Sequence, residues 1–493
     1  MKRIRLIADS VVNKSVTALF AAMMFLVVIV TAFFGKHISF SFPCTAPFCG
    51  IVYYLAAVGI LLLFRVLLRS ETKYKLSRKQ FLIVLIGIGV FVAVLQLVIS
   101  LWMPVKFAAD FEKIRDCAFA LNSGGTLRGN EYFETFSNNV DITILFSWIL
   151  SVVGHWRVVV FLGALLVNSS VCILAFCIYR ETDNVKTALF FQIFGEIFLA
   201  LTWRAFIPYT DNYCMPMISL MLFFYTSKLS NRERTIWISV VASIGMMLKP
   251  TILIPVFAML ILLLTKPEEE KRSLMNTFIT SLIVLSIIIV TFVGKSVIHK
   301  SCGYEKTENT RTWQYWLMIG QDTKALGTVS GGDRKKVIKR VEKTYDTKDE
   351  RMSAYAEQAK EWFLERGIKG NLEFYVKKLY VAFCDGYFHN MMRADDLDSV
   401  DKNFLYHFYV RDGKYYAVSA ALFQLMWSMI IVLLCVAAVR PQNDQIPVFL
   451  KTSILGIVMY LMVFEDRSKY LYMFLPIFLF LAALAFVCQS EGA

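Results

Sequence analysis

Apolar runs of roughly 17–25 residues recur from one end of the chain to the other, separated by polar segments, and runs of that length let a helix cross about 30 Å of hydrocarbon. They predict spans near 16–35, 50–68, 81–103, 158–179, 187–203, 212–228, 235–248, 251–265, 276–295, 416–439, 447–464 and 470–488. The expected fold is therefore an all-α polytopic membrane protein of about twelve transmembrane helices. The first run is too long for a secretory h-region and is followed by further spans, so it reads as retained. The runs at 235–248 and 251–265 are short, and a re-entrant pair is the alternative there. Ile142–Val153, about twelve residues, is too short to span and reads as an interfacial helix on the outer leaflet.

The polar segments are unequal. Two are large: Pro104–Arg157, and about 120 residues from Gly294 to Tyr415. The second holds a candidate helix over Glu350–Arg366, whose Met352, Tyr355, Ala356, Ala359, Trp362 and Phe363 fall at helical spacing. Gly367-Ile368-Lys369-Gly370 reads as its stop. The expected organisation is an N-terminal two-span extension (1–80) and a transmembrane core (81–295) carrying the first external loop (104–157). An extracytoplasmic, mainly helical domain (296–415) and C-terminal transmembrane helices (416–493) follow. No internal repeat or low-complexity tract is present.

Composition agrees with a membrane class: 57% of the 493 residues are hydrophobic and 18% charged, against nearer a half and a quarter in soluble domains. The net charge of +14 does not point to nucleic acid, because the basic residues sit in short loops between apolar runs. Alternate loops are rich in Lys and Arg (Arg65 to Lys79, Arg180 and Lys186, Lys228 to Arg234, Lys266 to Arg272), while the others hold few. That asymmetry places both termini in the cytoplasm of a multi-pass cell-membrane protein. The ten cysteines have no zinc-type spacing. Cys172, Cys177, Cys435 and Cys488 read as small apolar packers, and Cys44 and Cys49 share a loop, either as a disulfide or as free thiols.

Candidate chemistry lies at the outer ends of the spans. Asp110 follows Met103-Pro104 by about two turns, at headgroup depth, where a carboxylate can take a proton from an incoming hydroxyl. Glu112 follows it, and Asp116 lies off its helical face. Asp211, in Tyr209-Thr210-Asp211-Asn212, sits at the same depth at the start of a later span. Both aspartates could instead cap helices. Glu196 lies within an apolar run and must face the bundle interior or be neutral. Arg204, Lys249, Arg467 and Lys469 open or close spans at the outer level, a placement that suits a lipid phosphate and equally suits snorkelling. Trp313, Tyr315 and Trp316 could stack on a sugar or form an interface belt. His389 is the histidine best placed for chemistry, although a lone histidine is a weak signal.

These features together resemble the C-type superfamily of membrane glycosyltransferases, near the protein-mannosyltransferase and aminoarabinose-transferase branch. The resemblance is carried by Asp110-Phe111, the interfacial helix after Ser137-Asn138-Asn139, Tyr209-Thr210-Asp211, Leu248-Lys249-Pro250, and Arg467-Ser468-Lys469-Tyr470 before Leu475-Pro476. It covers roughly residues 81–488. It implies a polyprenyl-phosphate-linked sugar donor used on the outer face, transfer with inversion, and a glycan, lipid or protein acceptor. Asp110 would be the general base and Asp211 the second acidic position. Arg204, Lys249, Arg467 and Lys469 would contact phosphate, with Glu112, Asn138, Asn139, Tyr209 and Tyr470 lining the substrate. Two extra spans precede the usual first one, and Phe-Glu follows Asp110 in place of a tight acidic pair, so neither a catalytic metal nor another cofactor is expected. The rival readings are a lipid-linked polysaccharide polymerase and a lipid or polysaccharide transporter, the latter calling for polar sites near the bilayer midplane.

Overall fold

The computed structural model describes residues 2–34, 48–69, 76–103, 110–265, 274–329, 331–390, 392, 402–440 and 445–487. Among them all the regular structure is helical, with no strand. The first three helices are α1 (Lys2–Phe33), α2 (Cys49–Arg69) and α3 (Arg78–Trp102). A capping box, Ser77 with Gln80, starts α3 by satisfying N–H groups that have no partner within the helix. The first large polar segment folds into α4 (Asp110–Asn122), α5 (Glu131–Thr135) and α6 (Val140–Val153). The last of these is the expected short apolar helix, stopped by Gly154 at a φ of 66°. Asp141 ties it down, at 2.6 Å from Lys295 and 2.8 Å from His299.

The middle of the chain gives α7 (Trp156–Thr182), α8 (Val185–Gly195), α9 (Thr210–Tyr225), α10 (Asn231–Leu248), α11 (Leu253–Thr265) and α12 (Leu274–Ser301). Eight helices of the described chain are long and apolar enough to cross a membrane. The expected spans at 187–203, 212–228, 235–248 and 251–265 are not among them, and each falls on a helix that is short or that carries charge at one end. A π turn at Glu196–Ala200 and a 3-10 turn at Trp203–Phe206 break the first. Pro216 lies inside α9. Arg232, Glu233 and Arg234 make the start of α10 polar, and Pro250 separates α10 from α11.

Within the bundle α7 is central, packed against α3, α8 and α9. Gly89 of α3 faces Cys172 and Asn168 of α7, so a side chain there would collide. Amides join the same helices: Gln96 donates to the Ala164 and Ala200 carbonyls at 2.9 and 2.8 Å, Asn168 to Gly89 at 2.8 Å, and Gln192 to Leu85 at 2.8 Å. Glu196 faces this interior, as expected, with the Cys172 thiol 3.7 Å away.

The second large polar segment forms α13 (Trp313–Gln321), α14 (Arg334–Thr344), α15 (Lys348–Phe383) and α16 (Phe404–Tyr409). Gly367, at φ 61° and ψ −174°, breaks α15 where a stop was expected, but a second helix resumes at once and runs to Phe383. Tyr315, Met318, Val337, Val341, Met352 and Tyr355 form a core of their own. The Asp322 carboxylate pins this unit by accepting from four backbone N–H groups, those of Lys324, Ala325, Asp333 and Arg334, at 2.9–3.1 Å. Lys378 fastens it to the bundle: its buried ammonium donates to the carbonyls of Gly320, Met462 and Phe464 at 2.8, 3.0 and 2.8 Å.

The chain closes with α17 (Tyr416–Val439), α18 (Gln445–Val463) and α19 (Leu475–Val487). The last span is the most enclosed, with 78% of its apolar window buried against 11% for α2, which presents Val52, Leu55 and Leu62 outward. Cys49 is disulfide-bonded, while Cys44 and Cys488 lie outside the described residues.

Candidate functional site

The polar residues expected at the span ends gather where the start of α9, the end of α10, the first turn of α4 and the α18–α19 connection meet. Asp211 is the second residue of α9, not its cap: Tyr209 holds the N-cap position and makes no side-chain cap bond. One carboxylate oxygen of Asp211 pairs with Arg204 and the other with Lys249. Burial by itself would raise its pKa, but Lys249 and Arg204 outweigh that and hold Asp211 below the ordinary carboxylate value. Asn212 locks the turn by donating to the carbonyls of Arg204, Ala205 and Ile207 at 2.8–3.0 Å.

Asp110 is in the opposite situation. It opens α4 half-buried, and desolvation raises its pKa against the lowering effects of the Lys469 ammonium and a hydrogen bond from Tyr132. The Tyr132 hydroxyl in turn accepts from the Asn139 amide at 2.6 Å, and Asn138 donates to Asn139 at 3.0 Å. Asn139 also bonds Tyr209, whose hydroxyl is in electrostatic reach of both Asp110 and Asp211. The Phe111 ring meets the Tyr209 ring edge-on at 5.3 Å. Asp110 and Asp211 thus belong to one cluster. Glu112 is half-buried beside it and forms no ion pair with its members among the described residues, and Asn138 is exposed.

The α18–α19 connection supplies the remaining groups. Glu465 bonds Tyr470 and lies 3.9 Å from the Arg467 guanidinium. The Tyr470 ring has two ammonium groups near it, Lys469 at 5.0 Å and Lys249 at 5.6 Å from its centroid. Arg467 hydrogen-bonds His389 Nε2, and because a guanidinium only donates, that nitrogen accepts and the ring proton is on Nδ1. Burial, and then the charges of Arg467 and Lys469, keep His389 neutral. Phe388 and His389 both adopt φ of 55°, a left-handed backbone costly for bulky residues. It is held by Asp385, which accepts from the backbone N–H of Tyr387 and His389 at 2.9 and 2.7 Å and from Ser468 at 3.3 Å.

Tyr132, Asp385 and Glu465 are therefore parts of the site that the sequence reading missed, and His389 is one it ranked low. Glu465 was available as a signal, since it adjoins Asp466-Arg467 at a span end. Chemically, the cluster sets a proton-seeking carboxylate beside ammonium and guanidinium groups, with a second carboxylate neutralised by two cations. Among the described residues no three His, Cys, Asp or Glu side chains converge as a metal site.

A family model described as "Conserved hypothetical integral membrane protein" matches residues 8–489. No curated protein and no solved structure matches the chain.

Proposed function

This chain belongs to that family of conserved hypothetical integral membrane proteins, and from that premise we propose that it is an inverting membrane glycosyltransferase drawing on a polyprenyl-phosphate sugar. In this reading the chain crosses the membrane about twelve times, with both termini cytoplasmic and the Asp110 cluster extracytoplasmic. The acceptor is a cell-envelope glycan, teichoic acid, lipid or protein. Its hydroxyl gives its proton to Asp110 as the oxygen attacks the anomeric carbon, and the bond from that carbon to the phosphate oxygen breaks on the opposite face. The departing polyprenyl phosphate carries its charge toward Lys469 and Arg467. Stabilising that separated charge, more than tight ground-state binding, supplies the rate.

The observation that carries the reading is the gathering of Asp110, bonded by Tyr132 and near Lys469, into one cluster with the Asp211–Arg204–Lys249 set through Asn139 and Tyr209. Asp211 then serves to set Arg204 and Lys249 rather than to take a proton, because both its oxygens are occupied.

The test is turnover of an externally added, labelled polyprenyl-phosphate sugar by the protein in proteoliposomes. Asp110→Asn should lower transfer by about 10²–10⁴-fold, the usual contribution of a general base, with insertion and thermal unfolding unchanged. Transfer at the wild-type rate removes Asp110 from the role. Movement of the labelled lipid across the bilayer without transfer establishes a transporter instead. Mass analysis of surface glycans from a deletion strain identifies the acceptor.

A further inference from the structure

The three aromatics that open the outer helical unit have separate fates. Tyr315 is buried in that unit's core, and Trp316 is half-buried with its ring 6.0 Å from that of Phe136. Trp313 is 58% exposed. Its indole forms one wall of a cavity of about 540 Å³ between the first turn of α13 and the first turns of α15. Gln314, Lys348, Asp349 and Ser353 line it, and Met352 is the buried apolar part of the lining.

We propose that this cavity is a saccharide subsite, in which one pyranose of the acceptor glycan stacks on Trp313; the assignment of the sugar to the acceptor rests on the transferase reading above. A sugar ring presents an apolar C–H face and a rim of hydroxyls, each of which donates and accepts. The lining matches both: an exposed indole for the face, and an amide, a carboxylate, an ammonium and a hydroxyl for the rim. A lipid tail would need a wide apolar surface, whereas here polar and apolar surface share the lining equally, as a sugar with its C–H face and hydroxyl rim requires.

The walls are built before any ligand arrives. Thr347 and Glu350 form a capping box at the start of α15, the Lys348 N–H donates to Glu308 at 2.9 Å, and the Thr312 N–H meets the Met352 sulfur at 3.4 Å.

A row of aromatic side chains links this cavity to the site. The Trp316 ring lies one helical turn from Trp313, Phe136 follows, and the Phe136 ring is 5.1 Å from that of Tyr132, which bonds Asp110. Adding ~4.5 Å for three residues of helix rise, the track is on the order of 15 Å long, the reach of a short oligosaccharide. An acceptor chain held at Trp313 would present its growing end toward Asp110.

The test uses full-length protein in nanodiscs, immobilised, and oligosaccharides released by mild acid from the envelope of the cell that encodes it. Wild type and Asp110→Asn should capture the same glycans. Trp313→Ala should capture at least tenfold less, Asp349→Asn less than wild type, and Trp313→Phe most of the wild-type amount. Equal capture by Trp313→Ala and wild type, or no capture by wild type, overturns the proposal. Thermal unfolding of each variant separates lost binding from lost folding. The transferase reading fails on a different result, undiminished turnover by Asp110→Asn, which leaves capture untouched.

Discussion

At Asp211 two cations take both carboxylate oxygens, whereas at Asp110 one hydroxyl and one nearby ammonium leave burial in control. Two different failures follow. Asp211→Asn strands Arg204 and Lys249 without their counter-charge, and removal of one member of a buried ion pair costs about 3–5 kcal/mol, so its thermal unfolding should fall sharply. Asp110→Asn should unfold like wild type. The pH dependence has a definite sign: a general base works only when ionised, and the Asp110 pKa lies above the ordinary carboxylate value. Transfer should therefore fall as pH drops through that raised pKa, at a higher pH than an ordinary carboxylate would give. Tyr132→Phe deletes a bond that favours the ionised form, so the acid limb of its pH–rate profile should move to higher pH; an unmoved limb would separate Tyr132 from Asp110. The residues legible in the sequence (Asp110, Arg204, Tyr209, Asp211, Lys249, Arg467, Lys469, Tyr470) share one property, their closeness to the end of an apolar run. Tyr132 and Asp385 lie within long polar segments, and only the folding of those segments brings them in.

Among the elements, the short helices explain why span counting from the sequence and from the structure diverge. An apolar run records composition, but the π turn at Glu196–Ala200 and Pro250 interrupt the helices that such a run would otherwise form. The break at Gly367 was legible because glycine tolerates its positive φ; the resumption of helix after it was not, since Gly370 reads as a second stop. Asp322 shows how a single side chain fixes an element. Its oxygens take the first N–H groups around α14, and Gly332, at a φ of 66°, sits so close that an added Cβ would lie 2.2 Å from Asp322 Oδ2. Asp322→Ala should cost about 2–3 kcal/mol through lost charge-assisted bonds. Hydrogen exchange should show faster opening of α14 than of α7; equal protection in variant and wild type would refute this.

For the whole molecule, the predicted sidedness is open to direct measurement. In a cysteine-free background, cysteines placed at Ser230 and Ser353 should react with an impermeant maleimide from opposite sides of the membrane, Ser353 from outside. Labelling from the same side would overturn the arrangement inferred from loop charge. Buried carboxyls add a pH signature to stability. Asp466 is fully enclosed, and burial lifts its pKa to about 8 from 3.8, opposed by Lys378. A raised folded-state pKa stabilises below the unfolded value and is lost as pH climbs through the folded one. The unfolding temperature should drop by several degrees between pH 5 and pH 8, and Asp466→Asn should flatten that slope.

The lysine that reaches from α15 to the ends of α13 and α18 has a practical consequence. Three carbonyl oxygens, one from the end of α13 and two from the last turn of α18 and its exit, converge on one ammonium. Excising residues 302–415 as a soluble fragment would strip two of those three acceptors from Lys378 and bare the helix end that it seals. Such a fragment should aggregate through the apolar end of α15 that the bundle covers, Leu379, Tyr380 and Phe383 among it, so dissection of this protein has to proceed by point substitution within the intact chain.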